Sequence, residues 1–327
     1  MKITHSENFL KIALPVLVLW LVTGSIAHST TYVWSNTAGG NWNVAADWSP
    51  NGMPGSGDTA DISASGTYTV TVNTAESVGT LTMNGTSGMQ TLNISSSGTL
   101  TINSASTGNA NAVVEVSGGT LTGTGSLTLA GILNWTSGTI SSGVSFAGGG
   151  FSGGSLYLDG GLLTNNGVLY WTNNATLYDG NGSVFTNLPG ATIIVSNAYS
   201  GGSWLYGGDF PGSHVFGNGG TITVDATGLV MVYTENFVNA GTLTVNSGTL
   251  QFYQGTNVDS GPVTVAPTAT LELGGADTFT PASSISGLGE PGGEPVDQRR
   301  HGDSEWQPGP IERQLDVLRR QHHRYRS

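Results

Sequence analysis

The sequence predicts an all-β fold, namely a right-handed parallel β-helix with coils of about 20 residues. A short motif recurs at nearly constant spacing, apolar and polar residues alternate in short runs, and no stretch carries the 3.6-residue period of an α-helix. Glycine contributes 51 of 327 residues and charged residues only 9%, whereas hydrophobic residues reach 37%. Because Thr, Ser and Asn supply the polar remainder, the composition is that of a folded chain and not of a disordered one.

The recurring motif is Gly-Thr-Leu or a close variant, and it marks successive coils. Its copies start at Gly79, Gly98, Gly119, Gly138, Gly220, Gly241 and Gly248. The early gaps are 19, 21 and 19 residues, and 21 residues separate Gly220 from Gly241. A second marker containing Asn runs in phase, at Asn165, Asn187, Asn218 and Asn239. Such spacing is typical of a solenoid coil.

One repeat shows how a coil is built. In the run from Thr242 to Gly248, Leu243 and Val245 share the inward face of a strand, while the two threonines face outward. Asn and Gly follow and tolerate the backbone of a sharp corner. We expect Thr and Asn at equivalent positions to stack into ladders between coils. An antiparallel sandwich or propeller is the alternative, but its hairpins would not repeat so steadily.

The N-terminal residues 1–27 are predicted to be a secretory signal peptide. Lys2 and Lys11 precede an apolar stretch, Ile12 to Val22, and small residues at Ser25 and Ala27 suit a signal peptidase. The apolar stretch is short for a membrane span. We therefore expect no transmembrane segment after cleavage, with a retained N-terminal anchor as the alternative.

Residues 28–67 are predicted to cap the solenoid, whose repeats occupy residues 68–288. Trp34, Trp42 and Trp48 stand among turn residues and directly precede the first strands. Bulky side chains there would cover the open core and the unpaired edge of the first coil. A sugar-stacking platform is the alternative interpretation of these tryptophans.

Residues 289–327 form an aberrant tail in which Pro, Gln, Arg and His replace the repeat composition. Read one base further on, codons for Arg299 to Pro308 can encode GGTVTVNGNL, and codons for Gln321 to Arg324 can encode NITG. Both strings continue the solenoid pattern. We therefore hypothesise that the tail is an out-of-frame, disordered translation. A genuine basic tail that binds an anionic partner is the alternative.

Charge limits the partners of the chain. Residues 12–298 contain no Lys or Arg and 16 Asp or Glu. A body without permanent cations is a poor partner for nucleic acid or anionic membrane surfaces. The chain contains no cysteine, so disulfides contribute nothing to its stability.

The cap and coils resemble known bacterial surface proteins. Trp34, Gly40-Asn41-Trp42, Asp47-Trp48, Pro54, Asp58 and Ile62, followed by Gly-Thr-Leu-Thr coils, look like the autotransporter-type β-strand-repeat and filamentous-haemagglutinin-like β-helix proteins. The resemblance implies a protein secreted to, or displayed on, the outer surface of a Gram-negative-type bacterium. It also implies an adhesive or structural role, glycans or other cell-surface molecules as partners, and a chain that is a fragment of a larger repeat protein.

Enzymatic activity is not expected. The solenoid region lacks the Arg or Lys base of pectate-type lyases, and a polysaccharide hydrolase, the enzyme alternative, needs two carboxylates a few ångströms apart. Asp225 and Glu235 are the closest such pair of acids in sequence among those spread over the central coils. His214 is the only histidine between His28 and the tail, so we expect neither a Ser-His-Asp triad nor a histidine metal site and interpret it as a loop residue.

Two weaker binding signals remain. The run Asp179-Gly180-Asn181 has the alternating oxygen ligands of a calcium loop but lacks its distant bidentate acid, so a turn is the preferred interpretation and calcium the alternative ligand. For glycan stacking the sequence offers Trp171, Trp204 and Tyr206 as the principal candidates. Tyr170, Tyr178, Tyr233 and Tyr253 extend this aromatic set. Because Tyr170 and Trp171 must face opposite sides of a strand, we expect at least one of them outside.

Overall fold

The structure is a computed structural model, and it describes residues 28–196, 202–207, 214–233, 235–274 and 276–287. The predicted signal peptide and the predicted out-of-frame tail lie outside these residues. Within the described ranges the chain is all-β, with 65% strand and no α-helix, wound into a β-solenoid of about 10 turns with coils of about 21 residues. The predicted fold class is thereby confirmed.

Twenty-eight strands and one short 3-10 helix, Ala45–Asp47, make up the described chain. The strands are β1 Thr31–Trp34, β2 Gly40–Asn41, β3 Trp48–Ser49, β4 Thr59–Asp61, β5 Tyr68–Val72, β6 Ala75–Val78, β7 Thr80–Met83, β8 Gln90–Ser95, β9 Thr99–Ile102, β10 Ser106–Gly108, β11 Ala112–Thr122, β12 Ser126–Ile140, β13 Gly143–Ser152, β14 Ser155–Asp159, β15 Leu162–Thr172, β16 Thr176–Gly180, β17 Val184–Asn187, β18 Thr192–Ser196, β19 Gly202–Gly207, β20 Val215–Asn218, β21 Thr221–Tyr233, β22 Glu235–Asn239, β23 Thr242–Phe252, β24 Gly255–Asp259, β25 Pro262–Val265, β26 Thr270–Leu273, β27 Ala276–Phe279 and β28 Ser284–Ser286.

Each coil contributes one strand segment to each of three parallel faces. The first face runs through β17, β20, β22, β24 and β27. The second face runs through β18, the start of β21, the start of β23, β25 and β28. The third face runs through β14, β16, β19, the ends of β21 and β23, and β26. Long strands such as β21 and β23 bend at a corner and serve two faces.

Alternation along each strand fills the interior. In β23, Leu243 and Val245 are buried, while Thr242 and Thr244 lie on the outer side, as the sequence predicts. The inner side chains of successive coils stack in register; for example, Ile193, Ile222 and Leu243 are consecutive partners. Burying such a side chain contributes about 1.5–3 kcal/mol, and the coils share one continuous core.

Close contact between the corners of successive coils explains why glycine recurs in the motif. A Cβ on Gly241 would lie 2.0 Å from the carbonyl oxygen of Gly220, and a Cβ on Gly261 would lie 1.8 Å from that of Gly241. Real Cβ atoms do not come that close to a backbone oxygen. The motif therefore keeps glycine where one coil's corner rests directly on the corner before it.

The tryptophans near the N-terminus form a buried cluster. Trp48 packs edge-on against Trp34 and Trp42, with ring centroids 5.0 and 4.9 Å apart. The Trp48 indole donates to the Trp42 carbonyl at 2.8 Å, and the Trp34 indole donates to the Asn36 carbonyl at 2.7 Å. All three rings are buried, which places them in the core and leaves no face open to a sugar.

The strand β1 pairs in parallel with β4 and antiparallel with β3, which joins the tryptophan-bearing segment to the first coil. No helix within the described ranges is long and apolar enough to span a membrane.

Candidate functional site

The two tryptophans predicted to stack on glycans lie in the core instead. Trp171 is 0% exposed and Trp204 is 1% exposed, and their rings meet edge-on with centroids 5.3 Å apart. The Trp171 indole donates to the Ala175 carbonyl at 2.8 Å. Because a ring must be exposed to stack on a sugar, the prediction was wrong for both residues. Strand alternation turned Trp171 inward and its neighbour Tyr170 outward.

Tyr206 is half-buried on the outer side of the third face, where it belongs to a ladder of tyrosines on successive coils. The members of this tyrosine ladder are Tyr157, Tyr178, Tyr206, Tyr233 and Tyr253. Successive ring centroids lie 5.3, 5.4, 4.6 and 5.1 Å apart. Three of the four pairs are stacked, with interplanar angles of 24°, 7° and 11°.

This stacking determines what the tyrosine ladder can bind. Each central ring stacks on at least one neighbour and lies against the next ring on its other side, at 48° in the Tyr178–Tyr206 pair, so a sugar would reach mainly ring edges and hydroxyl groups. Stacked aromatic pairs contribute about 0.5–1.5 kcal/mol each beyond the area they bury. We therefore assign Tyr206 to the cohesion of the third face. The spacings Tyr157–Tyr178 and Tyr233–Tyr253, 21 and 20 residues, matched one coil and signalled the ladder in the sequence, whereas the 28 and 27 residues on either side of Tyr206 did not.

Tyr170 differs from the tyrosine ladder. It lies in β15 on the outer side of the second face and is 54% exposed. Among the described residues no aromatic ring stacks on it and no group hydrogen-bonds its hydroxyl. Its neighbour along the strand on the same side, Val168, is also exposed. The second face thus carries an aromatic ring that is accessible to a ligand.

The candidate calcium residues Asp179 and Asn181 do not face a common point. Asp179 points inward and is 1% exposed. Asn181 lies outside with φ 54° and donates its amide to Asp159 of the preceding coil at 2.5 Å. The Ser183 hydroxyl accepts a hydrogen bond from the Gly180 N–H at 2.9 Å and closes the turn. The preferred interpretation, a turn, fits this geometry, because the two oxygen ligands diverge.

In the core, Asp179 occupies the position that an aliphatic residue occupies in the preceding coil. It pairs with Leu158 on one side and with Gly207 on the other. His214 is buried, and its Nε2 lies 2.2 Å from where a Cβ of Gly207 would stand. The imidazole therefore fills the space left by the glycine, next to the coil of Asp179. His214 lies outside any strand, directly before β20, as the sequence predicts, and its burial is the new finding.

A ladder of amides runs inside the first face. The asparagine ladder consists of Asn165, Asn187, Asn218 and Asn239, all buried. Each amide donates to the side-chain oxygen of the next residue, at 2.8, 2.8 and 2.7 Å. Internal polar groups are satisfied in this way between coils, as the sequence predicts for stacked Asn.

Asp259 follows the asparagine ladder as a carboxyl group. The Asn239 amide donates to both of its oxygens at 3.3 Å, and the Gly261 N–H donates at 3.1 Å. Burial raises the pKa of the Asp259 carboxyl from 3.8 to about 6, and these donors only partly oppose the shift. A charged carboxylate is costly at this position.

A second column of inward side chains on the first face, next to the asparagine ladder, changes from apolar to polar residues along the coils. Phe185, Phe216 and Phe237 are consecutive partners, and Asn257 and Asp277 continue their column. The Asn257 amide donates to the Asp277 carboxylate at 2.7 Å. This column is therefore aromatic in the middle coils and polar in the last described ones.

Of the candidate hydrolase acids, only some have described side chains. Asp225 is exposed and accepts a hydrogen bond from the Asn246 amide at 2.9 Å, whereas the side chain of Glu235 lies outside the described atoms. No group of three or more His, Cys, Asp or Glu in the described ranges could hold a metal ion. Among the described residues, the outer surface offers hydroxyl, amide, aromatic and scattered carboxylate groups.

Comparison with known proteins places the chain in no family: no family model, no curated protein and no solved structure matches it.

Proposed function

We propose that the protein is a structural or adhesive β-solenoid that is exported and acts at the outer surface of a Gram-negative-type bacterium. The observation that carries the proposal is the continuous parallel pairing of strands from one coil to the next between β4 and β28, whose outer sides repeat neutral hydroxyl and amide groups. A long surface of repeated weak contacts suits multivalent attachment.

Three further features support the proposal. The signal-like sequence of residues 1–27 supports export, and the resemblance of the cap and coils to bacterial surface β-helices supports display. Hydrogen-bonded and stacked ladders between coils, such as the asparagine ladder, favour a rigid rod. In this proposal the surface itself is the functional element and no bond is made or broken.

Export is tested by expressing the full chain in a Gram-negative host, fractionating the cells and sequencing the N-terminus of the product. We expect a processed chain that begins at or near His28 outside the cytoplasm. A chain that stays in the cytoplasm with Met1 to Ala27 attached would contradict the proposal.

Adhesion is tested separately with beads that carry the purified protein. Beads coated with it should attach to mucin-coated glass more than beads coated with albumin, and the soluble monomer should compete only weakly because single contacts are weak. Equal attachment of the two kinds of bead would contradict an adhesive role and leave a purely structural one.

A further inference from the structure

On the outer side of the second face, one strand has no outward side chains at two positions, whereas the strands on either side of it do. Gly148 and Gly150 are the outward residues of β13 there. On one side they pair with Ile132 and Asn134 of β12, and on the other with Val168 and Tyr170 of β15. We call this space the Gly150 slot. Its walls stand two strand spacings apart, about 9.6 Å between backbones.

Packing does not explain the glycine at position 150 in the floor of the slot, whereas a Cβ on Gly148 would lie a tight 3.3 Å from the Val168 carbonyl oxygen. A Cβ on Gly149 would lie 2.0 Å from the Leu133 carbonyl oxygen, so glycine is needed at that inward position. A Cβ on Gly150 would meet only Asn134 Oδ1, at an ordinary 3.5 Å, and its φ lies outside the left-handed region. Glycine inside a strand often marks a bulge, a bend, or the close approach of a ligand or of another backbone, and no backbone atom lies within 4 Å of a Cβ placed on Gly150.

One wall of the slot offers an aromatic face. Tyr170 lies between Gly150 and Ile194 in its outward column. Since Gly150 has no side chain, nothing from that neighbouring strand position covers the Tyr170 ring, in contrast to the rings of the tyrosine ladder. The negative face of an aromatic ring attracts the weakly positive C–H groups of a sugar ring.

The opposite wall offers polar groups with spare hydrogen-bonding capacity. The position of Asn134 Oδ1 near Gly150 shows that this amide leans toward the floor of the slot. Within the described ranges no group hydrogen-bonds the Asn134 amide or the carboxylate of Glu115, its neighbour in the preceding coil. By contrast, the outward amides of Asn181 and Asn246 are bonded to Asp159 and Asp225.

The charges near the slot disfavour an anionic ligand. The absence of Lys and Arg from residues 12–298 leaves an anionic ligand without a counter-charge, and Glu115 would repel it. A neutral pyranose presents C–H groups on its face and hydroxyl groups at its edge, which match Tyr170 on one wall and Asn134 with Glu115 on the other. We propose that the Gly150 slot binds one ring of a neutral polysaccharide between Tyr170 and Asn134.

The test measures binding of neutral hexasaccharides of glucose, mannose, xylose and galactose to the full chain by isothermal titration calorimetry. We expect at least one to bind with a Kd of about 10 mM or below and the anionic hexagalacturonate not to bind. Tyr170→Ala should weaken binding at least about tenfold, equivalent to about 1.4 kcal/mol. Asn134→Ala should weaken it by a smaller factor.

The decisive variant fills the slot. Gly150→Val should abolish binding, and Gly217→Val is its matched control, since a Cβ at Gly217 on the outer side of the first face meets nothing within 4 Å. Wild-type affinity in Gly150→Val, or no binding by any of the neutral hexasaccharides, would overturn the proposal. If Gly150→Val does not fold, unchanged affinity in Tyr170→Ala overturns it. The proposal does not depend on the surface location proposed above, because the titration uses soluble sugars.

Discussion

At the scale of single residues, Asp259 is the clearest source of pH dependence. Its folded pKa of about 6 lies above its ordinary value of 3.8. Folding therefore favours the protonated carboxyl, so the contribution is fully favourable below pH 4 and is lost as the pH rises from about 4 to about 6. Asp259→Asn keeps an amide at the end of the asparagine ladder and removes the titration.

We expect Asp259→Asn to raise the stability at pH 7.5 by on the order of 2 kcal/mol and to leave it little changed at pH 4. Urea unfolding across this pH range measures both values. Asp225→Asn is the control, because Asp225 is exposed. The same loss of stability between pH 4 and pH 6 in wild type and Asp259→Asn would refute the assignment.

Residue orientation was the hardest property to predict from the sequence. Alternation requires that Tyr170 and Trp171 face opposite sides but does not say which one faces the core. Which of the two side chains faces the core depends on where the preceding corner ends. In β15 that corner lies near Gly167, where an added Cβ would lie 1.6 Å from the Ala147 carbonyl oxygen. A one-residue uncertainty at such a corner exchanges the inner and outer sets.

At the scale of structural elements, the asparagine ladder should stabilise the stack of coils. Asn218→Ala removes the acceptor of Asn187 and the donor to Asn239. Each buried group left unpaired costs about 1–3 kcal/mol, so we expect a loss of roughly 2–5 kcal/mol in urea unfolding. Asn166→Ala, which removes an exposed amide bonded to Ser145 at 2.6 Å, should cost far less. Equal losses would contradict the role of the ladder.

The tyrosine ladder makes a spectroscopic prediction. Tyr206→Ala removes two consecutive ring contacts, with Tyr178 and Tyr233. We expect a loss of about 1–3 kcal/mol together with a large decrease in near-ultraviolet circular dichroism, because stacked phenol rings couple. Tyr170→Ala should change neither quantity appreciably. A near-ultraviolet spectrum of Tyr206→Ala that matches wild type would show that the rings are not stacked in solution.

The length of the coils was easier to predict from the sequence than the orientation of single side chains. The glycine spacing gave the coil length because the corner contacts between Gly220, Gly241 and Gly261 recur once per coil. The Gly150 slot was not predictable, since a run of glycines in a sequence is as typical of a corner as of a strand. Only the pairing of β13 with β12 and β15 shows that Gly148 and Gly150 face outward.

At the scale of the whole molecule, charge determines the response to salt. Residues 12–298 carry 16 acidic residues and no Lys or Arg, so carboxylates repel one another without compensating ion pairs from Lys or Arg. Salt screens this repulsion. We expect the urea midpoint to rise between 50 and 500 mM NaCl at pH 7.5, with the rise fading near pH 4 as carboxylates become protonated. A midpoint that falls with salt would contradict this prediction.

The change from Phe185, Phe216 and Phe237 to Asn257 and Asp277 in one inner column gives the rod a mechanical polarity. In a stack whose coils contact only their neighbours, stability is a sum of local terms. We expect the coils that stack Phe185, Phe216 and Phe237 to adhere more strongly than those that pair Asn257 with Asp277. Pulled along its axis, such a stack should separate at the coils of Asn257 and Asp277 at lower force than at the phenylalanine coils.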